Sequence, residues 1–222
     1  KRKLYYFVSK HCFDIEGLGP KVIDALLENG LISSCDTIFG LKKGDLLAMP
    51  RFAEKSADNL IQAIEKARQI TLPRFLASLS IPQVGEEMAY DVARYFREKT
   101  AEGSALELLG RASVDDFQSI SGVGPIVANS LHGWFKNSDN KKLLARLLRR
   151  VNIIQEKIDE NKPLSGKSFV FTGTLPKMSR GEGPSLVRKL GGDVSNSVPR
   201  KTSYVVAGEE GELVYLEKFL PQ

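Results

Sequence analysis

The stretch Ile15-Glu16-Gly17-Leu18-Gly19-Pro20-Lys21 predicts a tight turn that runs directly into an α-helix. Two glycines flank one apolar residue, and Pro20 stands at the first helical position, where its missing N–H costs no hydrogen bond. Such a turn leaves backbone N–H groups exposed at the positive end of the helix dipole, which favours the binding of a phosphate group. A single turn of this kind, however, indicates no more than a connection between two helices.

The same pattern recurs three more times along the chain. With the second turn glycine as the reference, the equivalent positions are Gly19, Ala53, Gly85 and Gly124. Apolar side chains follow each reference position after four and seven residues, which places them on one face of a helix. The repeats are 34, 32 and 39 residues apart, a length typical of a repeated supersecondary unit. We interpret the four copies as helix–hairpin–helix units packed into one all-α domain. They lie near residues 15–30, 49–67, 81–96 and 120–136.

The copies differ in their turn residues. Copies one and four keep both glycines, copy two has arginine and alanine in those places, and copy three has glutamine and glycine. Since glycine adopts a positive φ freely and leaves room for a phosphate, copies one and four are predicted to make the closest backbone contacts. In copy two, Arg51 and Lys55 would compensate. Glu86 and Glu87 make copy three a poorer phosphate site, so a turn kept for packing explains that copy equally well. The candidate phosphate-binding residues are Gly17, Gly19, Lys21, Arg51, Lys55, Gly85, Gly122 and Gly124.

The composition limits the classes of protein that this chain can represent. Its 222 residues, 42% of them hydrophobic, suffice for one or two domains, and a net charge of +5 agrees with nucleic-acid binding without requiring it. There is no long apolar run or signal-peptide pattern, so no membrane association is predicted. Cys12 and Cys35 lack the spacing of a metal site and suit a reducing compartment. His11 and His132 are isolated, so no catalytic, cofactor-binding or metal-binding residue is predicted.

Two more helices are predicted in the first part of the chain. One covers residues 1–14, and the other is an amphipathic helix over residues 139–158, whose basic side chains are interpreted as a solvated face. The polar stretch 159–163 contains a proline and is typical of a linker. The helix–hairpin–helix domain is therefore predicted to cover residues 1–158.

After the linker the pattern changes from helical to mixed. Strands are predicted over residues 168–172, 193–198 and 203–207, and a helix runs from the capping box at Ser179 and Glu182 to residue 190. A strand–helix–strand–strand order predicts a small α/β domain with a parallel sheet over residues 164–222.

The sequence of both predicted domains resembles that of a known protein family. The four hairpins, with phrases such as Asp14-Ile15-Glu16-Gly17-Leu18-Gly19, closely resemble the helix–hairpin–helix domain of bacterial NAD-dependent DNA ligases. The last part resembles that family's terminal BRCT domain in the segments 169–175, 191–192 and 201–208. Both domains stand in the family's order and cover essentially the whole chain. The BRCT domain is predicted to be shortened after residue 208, because the helix and fourth strand of the family have little room there.

The resemblance implies a function for this chain within a larger enzyme. The chain would be the non-catalytic portion of a DNA ligase that grips nicked duplex DNA through its backbone phosphates, so that the full enzyme can seal nicks in replication and repair. The adenylation, OB and zinc-finger domains of the family have no counterpart in this sequence. NAD, Mg and Zn are therefore implied for the full-length parent and not for this fragment. A monomer in the bacterial cytoplasm, associated with the nucleoid, is the corresponding expectation.

Two other classes of function are compatible with the same sequence. One is a protein-interaction module, because BRCT domains bind partners or phosphopeptides, and Thr172-Gly173 lies where such domains hold a phosphate. The other is a helix–hairpin–helix scaffold from a different DNA-repair enzyme, which a BRCT domain placed after the four hairpins argues against.

Overall fold

The computed structural model describes residues 1–50, 52–100, 105–154, 163–176, 178, 182–195 and 202–208. The chain divides into two compact units, Lys1–Gln155 and Glu156–Gln222. The predicted linker begins beyond the end of the first unit, and its residues 159–162 lie outside the described residues.

The first unit is built mainly from short helices. In chain order these are α1 (Arg2–Phe7), α2 (Pro20–Glu28), a 3₁₀ helix (Cys35–Gly40), α3 (Lys43–Leu47), α4 (Glu54–Ala67), α5 (Leu72–Ser78), α6 (Glu86–Glu98), α7 (Ala105–Arg111), α8 (Val114–Gln118), α9 (Pro125–Lys136) and α10 (Ser138–Leu148). The pairs α1–α2, α3–α4, α5–α6 and α8–α9 flank the four predicted turns. The four helix–hairpin–helix copies are thus confirmed.

The helical faces predicted from the repeat form the core of this unit. The residues four positions after each reference position are all fully buried. Those seven positions after it are fully buried as well, except Leu60, which is 2% exposed. These residues are Ile23, Ala57, Ala89, Ala128, Leu26, Leu60, Val92 and Leu131. Three of the four at the first of these positions are alanines, which allow neighbouring helices to approach closely. Removal of these faces from water supplies the main driving force for packing the copies together.

A short parallel strand pair also belongs to the first unit. Strand β1 (Gln69–Thr71) follows the second hairpin, β2 (Asn152–Ile154) follows α10, and Ile70 lies opposite Ile153 in the pair. Each half of the unit therefore contains two hairpins joined by a connecting helix and ends in a strand. The predicted all-α domain is confirmed in its helices, and the sequence did not indicate this additional strand pair.

The predicted helix over residues 139–158 is wrong over residues 149–154, and its residues 155–158 lie outside the described residues. Helix α10 begins after Asn137, whose side chain accepts hydrogen bonds from the N–H groups of Asp139 and Asn140, and ends at Leu148. The N–H of Asn152 then donates to the Arg68 carbonyl at 2.7 Å. This contact draws a β-branched segment into the pair with β1, where its propensity favours a strand.

The predicted first helix is also too long. Helix α1 ends at Phe7, and the chain turns back, so that the N–H of Phe13 donates to the Phe7 carbonyl at 3.1 Å. The two phenyl rings stack with centroids 4.3 Å apart. This return places Cys12 and Phe13 in the core, where both are buried.

The second unit contains the predicted parallel sheet. Strands β3 (Ser168–Thr172), β4 (Asp193–Ser195) and β5 (Tyr204–Ala207) pair in the order β4-β3-β5, both pairs parallel, and helix α11 (Glu182–Lys189) connects β3 to β4. This order confirms the α/β prediction. The predicted capping residue Ser179, the end of the second strand and all residues after 208 lie outside the described residues.

Within the described residues, no helix has the length and apolar character needed to cross a membrane.

Candidate nucleic-acid interface

One hydrogen bond defines the turn in all four copies. The N–H of the residue before the reference position donates to the carbonyl three residues earlier, over 3.2, 3.4, 3.1 and 3.0 Å in copies one to four. The donors are Leu18, Phe52, Val84 and Val123, and the acceptors are Ile15, Met49, Ile81 and Ile120. Each copy thus contains a β-turn whose first and last residues are buried, apart from a half-buried Phe52, and whose described central residues are exposed.

The third residue of the turn has a positive φ wherever it is described. The angle is +84° at Gly17, +82° at Gly122 and +64° at Gln83, as a type II turn requires. Gln83 adopts this conformation without being glycine, and Pro82 before it supplies the φ that suits the second turn position. Arg51, the equivalent residue in copy two, lies outside the described residues. The turn is therefore retained in copy three despite the lost glycine.

The second glycine of the turn has a different structural role from the first. Gly19 and Gly124 precede the first helical residue with extended backbones, at φ −75° and −82°, and Ala53 occupies the same position at −104°. Any residue can adopt these angles. A Cβ added at Gly19, Gly85 or Gly124 would meet no protein atom within 4 Å. At these positions glycine leaves the space in front of the backbone open, a feature that folding alone does not require.

The hydrogen-bonding state of the turn amides distinguishes copy two from the other three copies. In the part of the chain that the structure describes, the N–H groups of Gly19 and Lys21 have no protein acceptor, and the same holds for Gly124 and Ile126 in copy four. Proline lies between the two amides in both copies. In copy two, by contrast, the Ala53 N–H donates to Ser56 Oγ at 2.9 Å. Copies one and four therefore offer unoccupied donors at the start of a helix, and the Gly85 amide of copy three likewise has no protein acceptor among the described residues.

The charges at the helix starts favour the same two copies. The first turns of α2 and α9 carry no acidic residue, whereas α4 begins with Glu54 and α6 with Glu86 and Glu87. In copy two, Lys43 Nζ contacts both Glu54 Oε2 at 2.5 Å and Asp58 Oδ1 at 2.8 Å, so one lysine partly neutralises two carboxylates. Copy three has two carboxylates at its helix start, which disfavour an anion there.

Copy three is also tied to the rest of the first unit. His11 Nδ1 lies 3.0 Å from a Glu86 carboxylate oxygen, and the Ser130 hydroxyl on α9 donates to the Pro82 carbonyl at 2.6 Å. These contacts agree with a turn kept for packing. They could not be found from the sequence, since each joins residues far apart in the chain.

The described candidate residues all lie at the turns or in the first helical turn after them. Gly17, Gly19 and Lys21 are together at the first turn, Gly122 and Gly124 at the fourth, Gly85 precedes α6, and Lys55 is exposed at the second position of α4. Ile126, which has the same position in copy four as Lys21 in copy one, was missed from the sequence. The side chain of Ile126 is unusually exposed to solvent, and a repeat pattern does not reveal such exposure.

Groups capable of covalent or metal chemistry are not gathered at these turns. Among the described residues, no cluster of three or more His, Cys, Asp or Glu side chains could hold a metal ion. Burial raises the pKa of the Cys12 thiol to about 12 and that of Cys35 to about 11. The turns present backbone donors and cations, which bind anions.

Comparison with protein-family models agrees with this architecture. Residues 12–66 match the SAM-like helix-hairpin-helix tandem, residues 74–144 match the helix-hairpin-helix motif, and residues 159–221 match the BRCA1 C-terminus (BRCT) domain. The chain therefore contains helix–hairpin–helix domains followed by a BRCT domain, and each of the two helix–hairpin–helix matches covers two copies.

Two curated relatives are similar to nearly the whole chain. The DNA ligase of Coxiella burnetii is 39% identical over 210 residues, and that of Chlamydia trachomatis serovar L2 is 40% identical over 209 residues. Both alignments cover 94% of this chain and 30% of the relative. The chain is homologous to a segment of DNA ligases, consistent with a C-terminal fragment of such an enzyme. It spans about 30% of the length of these relatives.

Proposed function

We propose that this chain is the portion of an NAD-dependent DNA ligase that grips nicked duplex DNA by its backbone phosphates without performing the chemistry. Three features of copies one and four together carry this proposal: turn amides without a protein acceptor among the described residues, glycines that leave the space in front of the backbone open, and a first helical turn without acidic residues. Homology to DNA ligases supports double-stranded DNA as the phosphate-bearing partner.

The physical basis of the grip is the electrostatics of a helix start. Free N–H groups and the positive end of the dipole coincide there, and an anion within hydrogen-bonding distance gains from both. Lys21 and Lys55, both exposed, add full positive charges in copies one and two. The sequence of copy two contains a further positive charge at Arg51. Phosphate contacts position a protein on DNA without reading bases. Such contacts suit an enzyme that must seal a nick in any sequence.

In the full-length parent, other domains would carry out the reaction. We propose that an adenylation domain takes adenylate from NAD and passes it to the 5′-phosphate, after which the 3′-hydroxyl attacks, with Mg and Zn held elsewhere in the chain. The adenylation, OB and zinc-finger domains are the partners proposed for the first unit. By itself the fragment would bind DNA as a monomer and ligate nothing, and the parent would work in the bacterial cytoplasm.

Binding of this chain to nicked and to intact duplexes, each at low and high salt, tests the proposal. We expect affinity that falls steeply with salt and that changes little when the base sequence is altered, because released counterions drive phosphate binding. Absence of binding at low salt would contradict the proposal and favour a protein-interaction module. Adenylate transfer from NAD by the purified chain would overturn its non-catalytic part.

A further inference from the structure

The second helical position has a different chemical character in each copy. This position lies two residues after the reference position. It is occupied by Lys21, Lys55, Glu87 and Ile126 in copies one to four. The turn in front of it carries the same hydrogen bond in each copy. The four side chains are therefore presented from equivalent backbone positions, and only copy four presents an apolar one.

The side chain of Ile126 is unusually exposed. It is 76% accessible to solvent, whereas the other exposed large apolar residues among those described range from 37% to 49%. Its neighbour Val127 packs against the core of the first unit. Folding does not explain an isoleucine here, because a β-branched residue has a lower helix propensity than alanine and gains nothing from burial at this position.

The surroundings of Ile126 are open and contain no acidic residue within the helix start. A Cβ added at Gly122 or Gly124 would have no protein atom within 4 Å, and the first turn of α9 has no carboxylate. A ligand that reaches the Gly124 amide would therefore also reach the isoleucine. That ligand must offer an anionic group and an apolar surface side by side.

In duplex DNA, the carbon faces of the deoxyribose rings lie beside the phosphates and form the walls of the minor groove. We propose that Ile126 packs against these sugars when the fourth turn binds a phosphate, so that this copy grips DNA through an apolar contact where copy one uses a lysine. The inference builds on the proposed DNA binding. It adds a residue whose contribution is independent of salt, since apolar contacts release no counterions.

Two substitutions at one position test this role. Ile126→Ala should weaken binding of the full 222-residue chain to a DNA duplex about three- to thirtyfold, with an unchanged slope of log affinity against log salt. Ile126→Lys should steepen that slope by about 0.9, because it adds one phosphate contact. Neither substitution removes a core contact, and thermal unfolding is expected to be unaffected.

A matched control is Leu148→Ala at the end of α10, which removes another exposed aliphatic side chain, 40% accessible, away from the turns. It should leave DNA affinity unchanged. The inference would be overturned if Ile126→Ala bound DNA with wild-type affinity, or if Leu148→Ala lost as much DNA affinity as Ile126→Ala. Either result would leave the proposed function intact. A smaller salt slope in Ile126→Ala would also contradict it, since the residue would then support phosphate contacts. Failure of the wild-type chain to bind any duplex would overturn both.

Discussion

Arg146 on α10 donates a hydrogen bond from Nε to Oδ2 of Asp36 at 2.9 Å, joining the last helix of the first unit to the 3₁₀ helix. Asp36 is only 8% exposed and also accepts a hydrogen bond from the Ser34 hydroxyl at 2.7 Å. Burial acts to raise the pKa of this carboxyl, but the bonds from Arg146 and Ser34 outweigh it and hold the pKa below its ordinary value. The pair therefore stabilises the folded state while Asp36 is ionised.

Arg146→Met should destabilise the first unit by about 1–3 kcal/mol at pH 7, because it leaves a buried carboxylate with one partner fewer. Denaturant unfolding measures the change. A carboxyl group whose pKa is lower in the folded state than in the unfolded state stabilises the fold at pH values above its unfolded-state pKa. This stabilisation is lost as the pH falls through the folded-state pKa. The difference between wild type and variant should therefore shrink below about pH 4. Arg149→Met, which alters an exposed arginine of the same helix region, is the control and should change stability by less than about 0.5 kcal/mol.

The open glycines at the helix starts should matter for binding and not for folding. Gly19→Ala combined with Gly124→Ala is expected to weaken DNA binding by about 1–2 kcal/mol, because each new methyl group lies where a phosphate would approach. The structure already tolerates alanine at this position, as Ala53 shows. The loss of folding stability should stay below about 1 kcal/mol per site. Titration of a labelled duplex measures the first effect and thermal unfolding the second.

Gly85→Ala provides the matched comparison for that double substitution. It makes the same change in copy three, where Glu86 and Glu87 oppose an anion, so we expect a smaller effect on affinity than at either of the other two glycines. A loss at Gly85 as large as at Gly124 would show that copy three contacts phosphate after all.

Gly192 in the second unit is required for packing. An added Cβ would lie 2.7 Å from Cγ1 of Val187 and 3.2 Å from Cβ of Leu164. Gly192→Ala should therefore destabilise the second unit by about 1–3 kcal/mol, through overpacking between α11 and β4. Faster hydrogen exchange of the β3 amides would report the change. Gly133→Ala on α9 meets no protein atom within 4 Å and should instead raise stability by about 0.5–1 kcal/mol.

The two thiols should be unreactive while the chain is folded. Burial is the main cause of the raised pKa values, about 12 for Cys12 and about 11 for Cys35, so the reactive thiolate is scarce at pH 8. Iodoacetamide at that pH is expected to modify neither cysteine within minutes, as mass spectrometry would show. Both should react in denaturant, and rapid labelling of the folded chain would contradict the burial.

The repeat pattern predicted those features of the fold that depend on local sequence, namely helix positions and buried faces. The predicted end of copy two at residue 67 is where α4 ends, and the buried positions in all four copies followed from the helical spacing. The end of α10 could not be predicted in the same way, since Leu147, Val151 and Ile154 fit a helical face as well as a turn and a strand. Contacts with Arg68, more than 80 residues away, decide between them.

The candidate site was predictable to a similar degree. The glycines indicated where amides would be free, but not that Ser56 occupies the amide of Ala53 or that Gln83 keeps the turn without glycine. Arg146 was assigned to a solvated basic face, yet it binds the buried Asp36. Such assignments depend on which distant residue lies opposite, and a single sequence does not contain that information.

The pairing of β1 with β2 has a consequence for the order of events in synthesis. Residues 69–71 emerge from the ribosome long before residues 152–154, and closing so long a loop costs chain entropy that nearby contacts do not. The hairpins can form as they emerge, because their contacts are local. The edge of β1 stays without its partner strand until translation has passed Ile154. Completion of the first unit is therefore a late event, which adds the strand pair to contacts between the halves that can form earlier, such as that of His11 with Glu86.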